Sequence, residues 1–475
     1  MKRKTISILF ILLFVLAIPV IAKSPKGKDA PLKPRIVVLT DIAPANIEPD
    51  DMESMIRLLA HADLYEIEAL IATGGWNSSN RPYPTEWLDS LKTCIDAYEK
   101  DLPNLMKRSN QSDFLSLEAE NQQQAIGYWP SAAYLRDRTM LGSLELGYEK
   151  LGNENNSAGS DFIIRLVDEK DSRPLWILAW GGANTLAQAI WKVKQERSEA
   201  EWRSFLQKIY VYTITDQDVA IDKRENHRIS SHYWLRKTCG TDLHFIWDES
   251  AWLSQNGIGK EHWNEYTTHI QGHGELGKSY PNYKWGVEGD TPSFLHVTPN
   301  GLNDPTVVDQ TGWGGFFRWD ISPDKETYCY TNHRQDTKKI SQKYEKYFYP
   351  AIFANFAARM DWAKDGKGNR NPIVCIGKNK GIKVITLRPK NGKSVTLDAS
   401  KSYDPDNDKL TYKWWVLPEA GNYAGAIQIK NAHNNRATII VPTDAAGKSF
   451  HVICEVTDNG TPQLTSYRRI IFNPR

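Results

Sequence analysis

Three aspartates that follow the first predicted strand have the residue type and the spacing of a metal site. Asp41 comes two residues after the apolar run RIVVL, and Asp50 and Asp51 follow a proline-containing loop at the start of the next predicted helix. Carboxylates gathered at one point repel one another, and calcium, a hard cation that prefers oxygen ligands, offsets that repulsion. Asp51 could instead be a first-turn acid that complements the helix dipole. The convergence of all three favours a calcium site.

The elements that must position these acids are predicted by hydrophobic periodicity. Short apolar runs, typical of strands buried on both faces, alternate with segments whose apolar residues recur at helical spacing. The runs cover residues 35–39, 67–73, 175–180, 209–214 and 243–247. We therefore predict an α/β domain over residues 33–363 with a doubly wound, mostly parallel sheet. Ligands of such sheets bind beyond the carboxyl ends of the strands, where Asp41 stands.

The pattern changes after this domain. Residues 364–380 are rich in lysine, glycine and asparagine and predict a linker. From residue 381 to 475, apolar residues alternate at period two between polar turns, which predicts a small all-β, immunoglobulin-like sandwich. The adjacent Trp414 and Trp415 favour carbohydrate binding there, because an indole face can stack on a sugar.

The first 22 residues have the pattern of a signal peptide. A basic start at residues 2–4 precedes the apolar run 6–21, and Val20 and Ala22 suit a cleavage site after Ala22. The run is too short to be a good membrane anchor. We expect a periplasmic or secreted protein with no stable membrane anchor after cleavage.

Composition narrows the classes of partner. A formal net charge of +2 without a concentrated basic stripe argues against nucleic acid. The five cysteines are scattered and form no CxxC pair, so neither a disulfide framework nor a zinc site is indicated. The oligomeric state is not determined, and the chain could form a homo-oligomer.

Several motifs together carry a family resemblance. The acidic opening TDI and EPDD resembles that of nucleoside hydrolases, and more closely that of their exported relatives, described as cellulose-binding proteins with a nucleoside-hydrolase-like domain. Supporting stretches, in chain order, are IATGGWN (71–77), RPLWILAWGGANTLAQA (173–189), YVYTITDQD (210–218), EGDTPSFL (288–295), NGLNDP (300–305), GWGG (312–315) and CEVTDNGTPQLTSYRR (454–469). The resemblance covers nearly the whole chain beyond the predicted signal peptide and implies a calcium-centred sugar site.

The resemblance implies particular metal ligands. Asp41 would contact calcium and take a proton from the attacking water, and Asp51 would bind calcium directly. Ala183 would contribute its backbone carbonyl, for which no particular side chain is needed. Asp290 would supply the remaining carboxylate, with Asp304 as an alternative for that position.

A substrate site is also implied. Asp50 and Asn77 match residues that hydrogen-bond sugar hydroxyls in the family. The three residues from 216 to 218 follow a strand and could contact substrate, although a polar turn explains them equally well. The predicted substrate-binding residues are Asp50, Asn77, Asn184, Asp216, Gln217 and Asp218.

Two departures from the nucleoside-hydrolase pattern concern catalysis. Leu39 stands where those enzymes carry a further aspartate, and Gly289 replaces their leaving-group histidine if Asp290 is the match. One of the histidines could protonate the leaving group, but the sequence does not choose among them. The histidines considered are His227, His232, His244, His262, His269 and His273.

Two functions follow. The retained acids favour a calcium-dependent hydrolase that cleaves an N- or O-glycosidic, furanosyl bond with a metal-activated water. The missing histidine, the tryptophan pair and the family's cellulose-binding description favour a non-catalytic protein that binds a plant-type polysaccharide.

Overall fold

The computed structural model describes residues 31–76, 84–115 and 123–475, with only the backbone described for residues 84 and 85. The predicted signal peptide and Asn77 lie outside the described residues.

The N-terminal domain is built on an eight-stranded sheet of order β3-β2-β1-β4-β5-β6-β8-β7. Its strands are β1 (Arg35–Thr40), β2 (Glu66–Ala72), β3 (Thr139–Leu141), β4 (Leu175–Ala179), β5 (Ile209–Ile214), β6 (His244–Asp248), β7 (Arg318–Ile321) and β8 (Tyr328–Thr331). Neighbouring strands are parallel except for β7, which runs antiparallel to β8. The predicted mostly parallel sheet is confirmed.

Helices connect the strands and cover both faces of the sheet. They are α1 (Asp50–Ala60), α2 (Pro84–Ser109), α3 (Ala132–Asp137), α4 (Ala158–Asp168), α5 (Asn184–Glu196), α6 (Glu199–Leu206), α7 (Ser231–Cys239), α8 (Ala251–Glu261), α9 (Trp263–His269), α10 (Gly274–Ser279), α11 (Thr291–Val297) and α12 (Gln335–Asp365). Every residue of β1 is buried. Ile36 and Val38 belong to one hydrophobic core and Val37 and Leu39 to another, because alternate side chains point to opposite faces.

The C-terminal domain is a β-sandwich, as predicted. Its strands are β9 (Cys375–Ile376), β10 (Asn379–Lys380), β11 (Ile385–Leu387), β12 (Ser394–Asp398), β13 (Thr411–Gly421), β14 (Gln428–Lys430), β15 (Arg436–Ile440), β16 (Phe450–Thr457) and β17 (Thr465–Phe472). One sheet has the order β11-β17-β16-β13 and the other β12-β15-β14, and β9 and β10 form a separate hairpin. Pairing within both sheets is antiparallel apart from β11 with β17.

The segment predicted as a linker is folded. α12 extends through Asp365, and the β9–β10 hairpin follows within residues 364–380. Val374 and Ile376 are buried in the core of the sandwich. These two apolar residues anchor the segment, although the polar composition around them had predicted a linker.

The two domains share a continuous hydrophobic core. Leu417, Ile453 and Tyr467 of the sandwich belong to the same cluster of buried residues as α12 and one face of the large sheet. The buried Arg469 donates hydrogen bonds to the carbonyls of Leu302 and Thr311, at 2.6 and 2.8 Å. The sandwich is therefore anchored to the domain that carries the acidic residues.

All five cysteines are buried and unpaired. Within the described residues, none of the helices has the length and apolar character needed to cross a membrane.

Candidate functional site

The carboxyl end of β1 leads directly into an acidic region. Asp41 follows β1, and Asp50 and Asp51 begin α1; Asp41 is 1% exposed and Asp51 3%. The Thr40 hydroxyl donates a hydrogen bond to a carboxylate oxygen of Asp51 and accepts one from the backbone N–H of Ile42. The last residue of the strand therefore orients an acid of the helix.

Three aspartates form a group that could hold a metal ion. Asp50, Asp51 and Asp290 each offer a carboxylate oxygen, and these oxygens lie within 4.8 Å of one another. Asp290 is the residue before α11 and is 3% exposed. The Oδ1 atom of Asp50 is buried without a hydrogen-bond partner. An orphaned oxygen among hard oxygen donors fits a hard cation such as calcium.

The electrostatics of this group show mutual repulsion. Burial raises the pKa of Asp290 well above its usual range, and the charges of Asp51 and Asp50 raise it further. Glu48 joins the group: burial, a hydrogen bond with Asp50 and that residue's charge raise the pKa of Glu48 to about 10. A bound cation would favour the ionised forms and lower these pKa values. Glu48 was not predicted, although it stands in the same EPDD string.

Asp41 lies beside this group rather than in it. Two glycines flank its carboxylate: a Cβ added at Gly75 would lie 2.3 Å from Asp41 Oδ2, and one at Gly181 would lie 2.8 Å from Oδ1. Any side chain at these positions would displace the acid. Gly75 after β2 and Gly181 after β4 therefore leave the space that the Asp41 carboxylate occupies, a role that the sequence motifs did not reveal.

The other predicted metal ligands are placed differently. The Ala183 carbonyl accepts the first hydrogen bond of α5 at 2.9 Å, which leaves its second lone pair for another partner. Asp304 is not in the group of three and accepts a hydrogen bond from Thr306 at 3.3 Å. Of the two alternatives for the last carboxylate, the fold brings Asp290 to the acidic group.

The loop after β5 uses its three polar residues in different ways. The Gln217 side-chain amide donates to the backbone carbonyls of Trp180 and Ile214, so it holds β4 and β5 together. Asp218 accepts a hydrogen bond from Ser231 at 2.5 Å, but its Oδ1 is buried without a partner. Burial and the neighbouring carboxylate of Asp216 raise the pKa of Asp218 to about 7.

Asp216 is held in the ionised form. Burial opposes its ionisation, but the charge of Arg236 and the hydrogen bonds with His227 and Ser230 outweigh burial and lower the pKa of Asp216 to about 2. The Ser230 hydroxyl donates to Asp216 at 2.7 Å. Both oxygens of the Asp216 carboxylate therefore have hydrogen-bond partners within the protein, and they are not both free to bind a sugar hydroxyl.

Asn184 has one free acceptor at this edge of the sheet. Its Nδ2 donates to the carbonyl of Glu145 at 2.8 Å, and its Oδ1 is buried without a hydrogen-bond partner. Other buried polar atoms in the segments around the acidic group also lack partners. They are Asp50 Oδ1, Asp218 Oδ1, Asn256 Oδ1, Trp76 Nε1 and Trp252 Nε1. Each such atom costs about 1–3 kcal/mol unless a ligand or water binds it, so this edge of the sheet is suited to receive a polar ligand or water.

Two tryptophans and an asparagine of this set were not predicted. Trp76 follows β2 and Trp252 lies in α8, with ring centroids 6.4 Å apart in an edge-to-face arrangement. Asn256 packs on Gly286 and Gly289, and a Cβ at Gly289 would also lie 3.0 Å from Asp50 Oδ2. Tryptophans that lie a few residues after strand ends were a usable signal in the sequence.

The tryptophan pair of the sandwich is not a surface for carbohydrate. Trp414 is 2% exposed and donates from Nε1 to the Asn434 carbonyl. Trp415 stacks on Tyr344 of α12 and donates to Glu455 at 2.9 Å. The interpretation that the pair binds polysaccharide is wrong, because the Trp414 ring packs in the core of the sandwich and the Trp415 ring packs against α12 at the domain contact.

Comparisons with known proteins agree with this architecture. A family model described as cellulose-binding Sde182, nucleoside hydrolase-like domain, matches residues 35–317, and one described as cellulose-binding protein Sde0182, C-terminal domain, matches residues 394–474. No curated protein matches the chain.

Solved structures extend the comparison. The chain is 34% identical to a nucleoside hydrolase-related hypothetical protein from Saccharophagus degradans that is associated with carbohydrate metabolism, over 93% of this chain and 100% of that one, with a TM-score of 0.77. The effector protein XOO4466 is 8% identical over 71% of this chain and 94% of that one, with a TM-score of 0.35, which is too distant to bear on the site. The predicted resemblance is confirmed: the chain belongs to the Sde182 family of cellulose-binding proteins with a nucleoside-hydrolase-like domain.

Proposed function

We propose that this chain is a calcium-dependent glycoside hydrolase that cleaves an N- or O-glycosidic, furanosyl bond by attack of water. The observation that carries the proposal is the group of the buried Asp51 and Asp290 with the half-buried Asp50, whose carboxylate oxygens converge within 4.8 Å. Buried charges of one sign are unfavourable unless they are neutralised, so the group supports a cation as its partner. The nucleoside-hydrolase-like fold supports a glycosidic substrate.

Asp51 and Asp290 would hold the calcium ion, with Asp50 or Asp41 completing the carboxylate set and the Ala183 carbonyl as a further oxygen. When bound, calcium supplies a positive charge that orients oxygen ligands and makes a water molecule easier to deprotonate.

Asp41 would take the proton of the attacking water. Gly75 and Gly181 confine its carboxylate, which favours one direction of approach. A single displacement of this kind inverts the anomeric carbon, and the surrounding negative charge stabilises the positive charge that develops on the sugar. The unpaired Oδ1 atoms of Asn184 and Asp218 would accept hydrogen bonds from sugar hydroxyls.

Calcium binding is tested first, by titrating chelator-treated protein with calcium chloride in a calorimeter. We expect one ion per chain. We also expect a rise in melting temperature, because a ligand at 100 times its Kd stabilises the native state by about 2.7 kcal/mol. Absence of both binding and stabilisation would contradict the proposal.

Catalysis is tested with inosine, uridine and 4-nitrophenyl furanosides. Asp41→Asn should lower kcat/KM by about 100- to 10,000-fold, because it removes the proton acceptor without changing side-chain volume. Asp304→Asn is the matched control, since the same substitution lies outside the acidic group. Equal activity of wild type and Asp41→Asn would remove Asp41 from this role.

A second candidate function is binding of a cellulose-like polysaccharide without turnover. The description of the family and Gly289, which occupies the position implied for a leaving-group histidine, favour it. The discriminating experiment uses the full chain, because the shared core makes removal of the sandwich disruptive. Retention on cellulose that is lost in Asp50→Asn, with no turnover of any glycoside, would support binding at the acidic site.

We also propose that the protein is exported after cleavage of residues 1–22. Purification from the native host followed by N-terminal sequencing should show Lys23 as the first residue. A chain that begins at Met1 would contradict export by this route.

A further inference from the structure

A histidine–aspartate pair stands at the end of β5. Nδ1 of His227, which begins the short 3-10 turn His227–Ile229, lies 3.1 Å from Oδ2 of Asp216. Asp216 is 2% exposed and also accepts a hydrogen bond from the Ser230 hydroxyl. A carboxylate held in this way fixes the orientation and tautomer of the imidazole.

The opposite nitrogen of the same ring is available. Nε2 of His227 makes no hydrogen bond with any residue that the structure describes, and it is not among the buried unpaired atoms. The side chain is 17% exposed, and its ring packs edge to face on Trp247 with centroids 5.2 Å apart. The imidazole is thus anchored at one nitrogen and open to solvent at the other.

The pair is close to Asp41 in the sheet. β4 lies between β1, which leads to Asp41, and β5, which leads to Asp216. Two strand spacings correspond to about 10 Å. Acid and base groups of inverting glycosidases lie about 6.5–9.5 Å apart, with room for the water between them, which is similar in scale to the separation of these two strands. Gly181, beside Asp41, is followed by Gly182, beside Asp218, which lies two residues after Asp216.

The other histidine after β5 is unsuited to proton donation. His232 is 1% exposed, its Nε2 is paired with the Thr213 hydroxyl at 2.9 Å, and its Nδ1 contacts Arg236. Burial and the neighbouring guanidinium lower the pKa of His232 well below its usual range. The imidazole of His232 is therefore neutral and enclosed.

We propose that His227 protonates the leaving group and that Asp216 is its positioning residue, an inference that rests on the hydrolase function proposed above. Water attacks the anomeric carbon and gives its proton to Asp41. The bond from that carbon to the leaving group breaks, and its electron pair goes to the leaving-group atom. This atom takes the Nε2 proton of imidazolium, and the products are the free sugar and the protonated leaving group.

The test uses the full chain with phenyl and 4-nitrophenyl β-D-ribofuranoside. His227→Asn keeps a donor near Asp216 but removes the Nε2 proton. We expect it to lower kcat/KM for the phenyl riboside by about 100-fold or more, and for the nitrophenyl riboside by less than about 10-fold, because a better leaving group needs less acid assistance. Asp216→Asn should give the same split with a smaller loss.

The matched control is His273→Asn, since His273 forms a similar pair with Asp361 at 3.0 Å and its side chain is 15% exposed. This variant should leave both rates unchanged. Equal losses on the two ribosides, or no loss, would overturn the role of His227 while leaving the hydrolase function intact. If the wild type cleaves neither riboside, then the hydrolase proposal fails for these substrates and the role of His227 fails with it.

Discussion

The two ends of the large sheet both carry buried acids, but these acids have different partners. At the amino end of the strands, arginines neutralise them. The pairs are Arg35 with Glu68 and Glu169, at 2.5 and 2.6 Å, and Arg173 with Glu66 and Asp171, both at 2.6 Å. The charges of these acids are therefore paired within the protein, without a bound ion.

At the carboxyl end, the described residues offer two of the acids no basic side chain as a partner. Asp50 and Asp290 make no ion pair with any basic residue in the part of the chain that the structure describes, and their neighbours are other acids. A buried charge that is left uncompensated is costly. The contrast teaches that the acids at one end have basic partners within the fold, whereas Asp50 and Asp290 at the other end have none among the described residues, which is the arrangement behind the calcium site proposed above.

The largest expected effect is on stability at the amino end. Arg35→Met should lower the free energy of unfolding by about 3–5 kcal/mol, because it leaves buried carboxylates without their partner. Denaturant unfolding measures this loss, and calcium affinity should not change. Arg203→Met, which removes an exposed arginine paired with Glu199 and Asp242, should cost less than about 1 kcal/mol. Equal losses of unfolding free energy in the two variants would show that the buried arginine contributes no more to stability than the exposed one.

The next effect is on calcium affinity at the carboxyl end. Asp290→Asn should raise the calcium Kd at least about 100-fold, which corresponds to about 2.7 kcal/mol. It should not lower the stability of the calcium-free protein, because it removes a repelling charge. Titration calorimetry measures the first quantity and urea unfolding the second. An unchanged Kd would show that Asp290 is not a ligand.

A smaller effect concerns the walls of the site. Gly75→Ala would place a Cβ 2.3 Å from Asp41 Oδ2, so the acid must move. We expect kcat/KM to fall by about 10-fold or more, as for the loss of roughly 1.4 kcal/mol of transition-state stabilisation. Gly257→Ala in α8 is the control, since a Cβ there meets nothing within 4 Å and should leave activity unchanged.

The smallest effects are those of pH, and their signs differ between Asp171 at the amino end and Asp290 at the carboxyl end. Burial opposes ionisation of Asp171, but Arg173 outweighs it and lowers the pKa of Asp171 from 3.8 to about 2. Its contribution to stability is therefore complete above pH 3.8 and is lost as the pH falls towards 2. The stability gap between wild type and Asp171→Asn should narrow in that window.

The pKa of Asp290 is raised instead, so in calcium-free protein its ionisation destabilises the fold as the pH rises above its ordinary value. Urea midpoints of wild type and Asp290→Asn should therefore diverge with rising pH, with the variant more stable. A gap that narrows with rising pH would contradict the repulsion at this end.

Much of the fold was predictable because its signals are local. β1 is buried on both faces and appears in the sequence as an unbroken apolar run, and the sandwich shows period two. The position of Asp41, Asp50 and Asp51 was predictable for the same reason, since one strand end and the following helix carry them, while their roles stay predictions. The linker was predicted wrongly where two apolar residues, Val374 and Ile376, anchor it to the sandwich.

The sequence by itself determined the order of strands and helices, the edge where the acids gather and the family. Only the tertiary structure decided that Asp290 rather than Asp304 joins Asp50 and Asp51, that Glu48 shares their repulsion, and that Trp414 is buried while Trp415 packs on α12. Periodicity reports contacts between near neighbours in the chain. The site depends on burial and on distances between residues far apart in sequence, which arise only when the sheet, α11 and the sandwich have packed together.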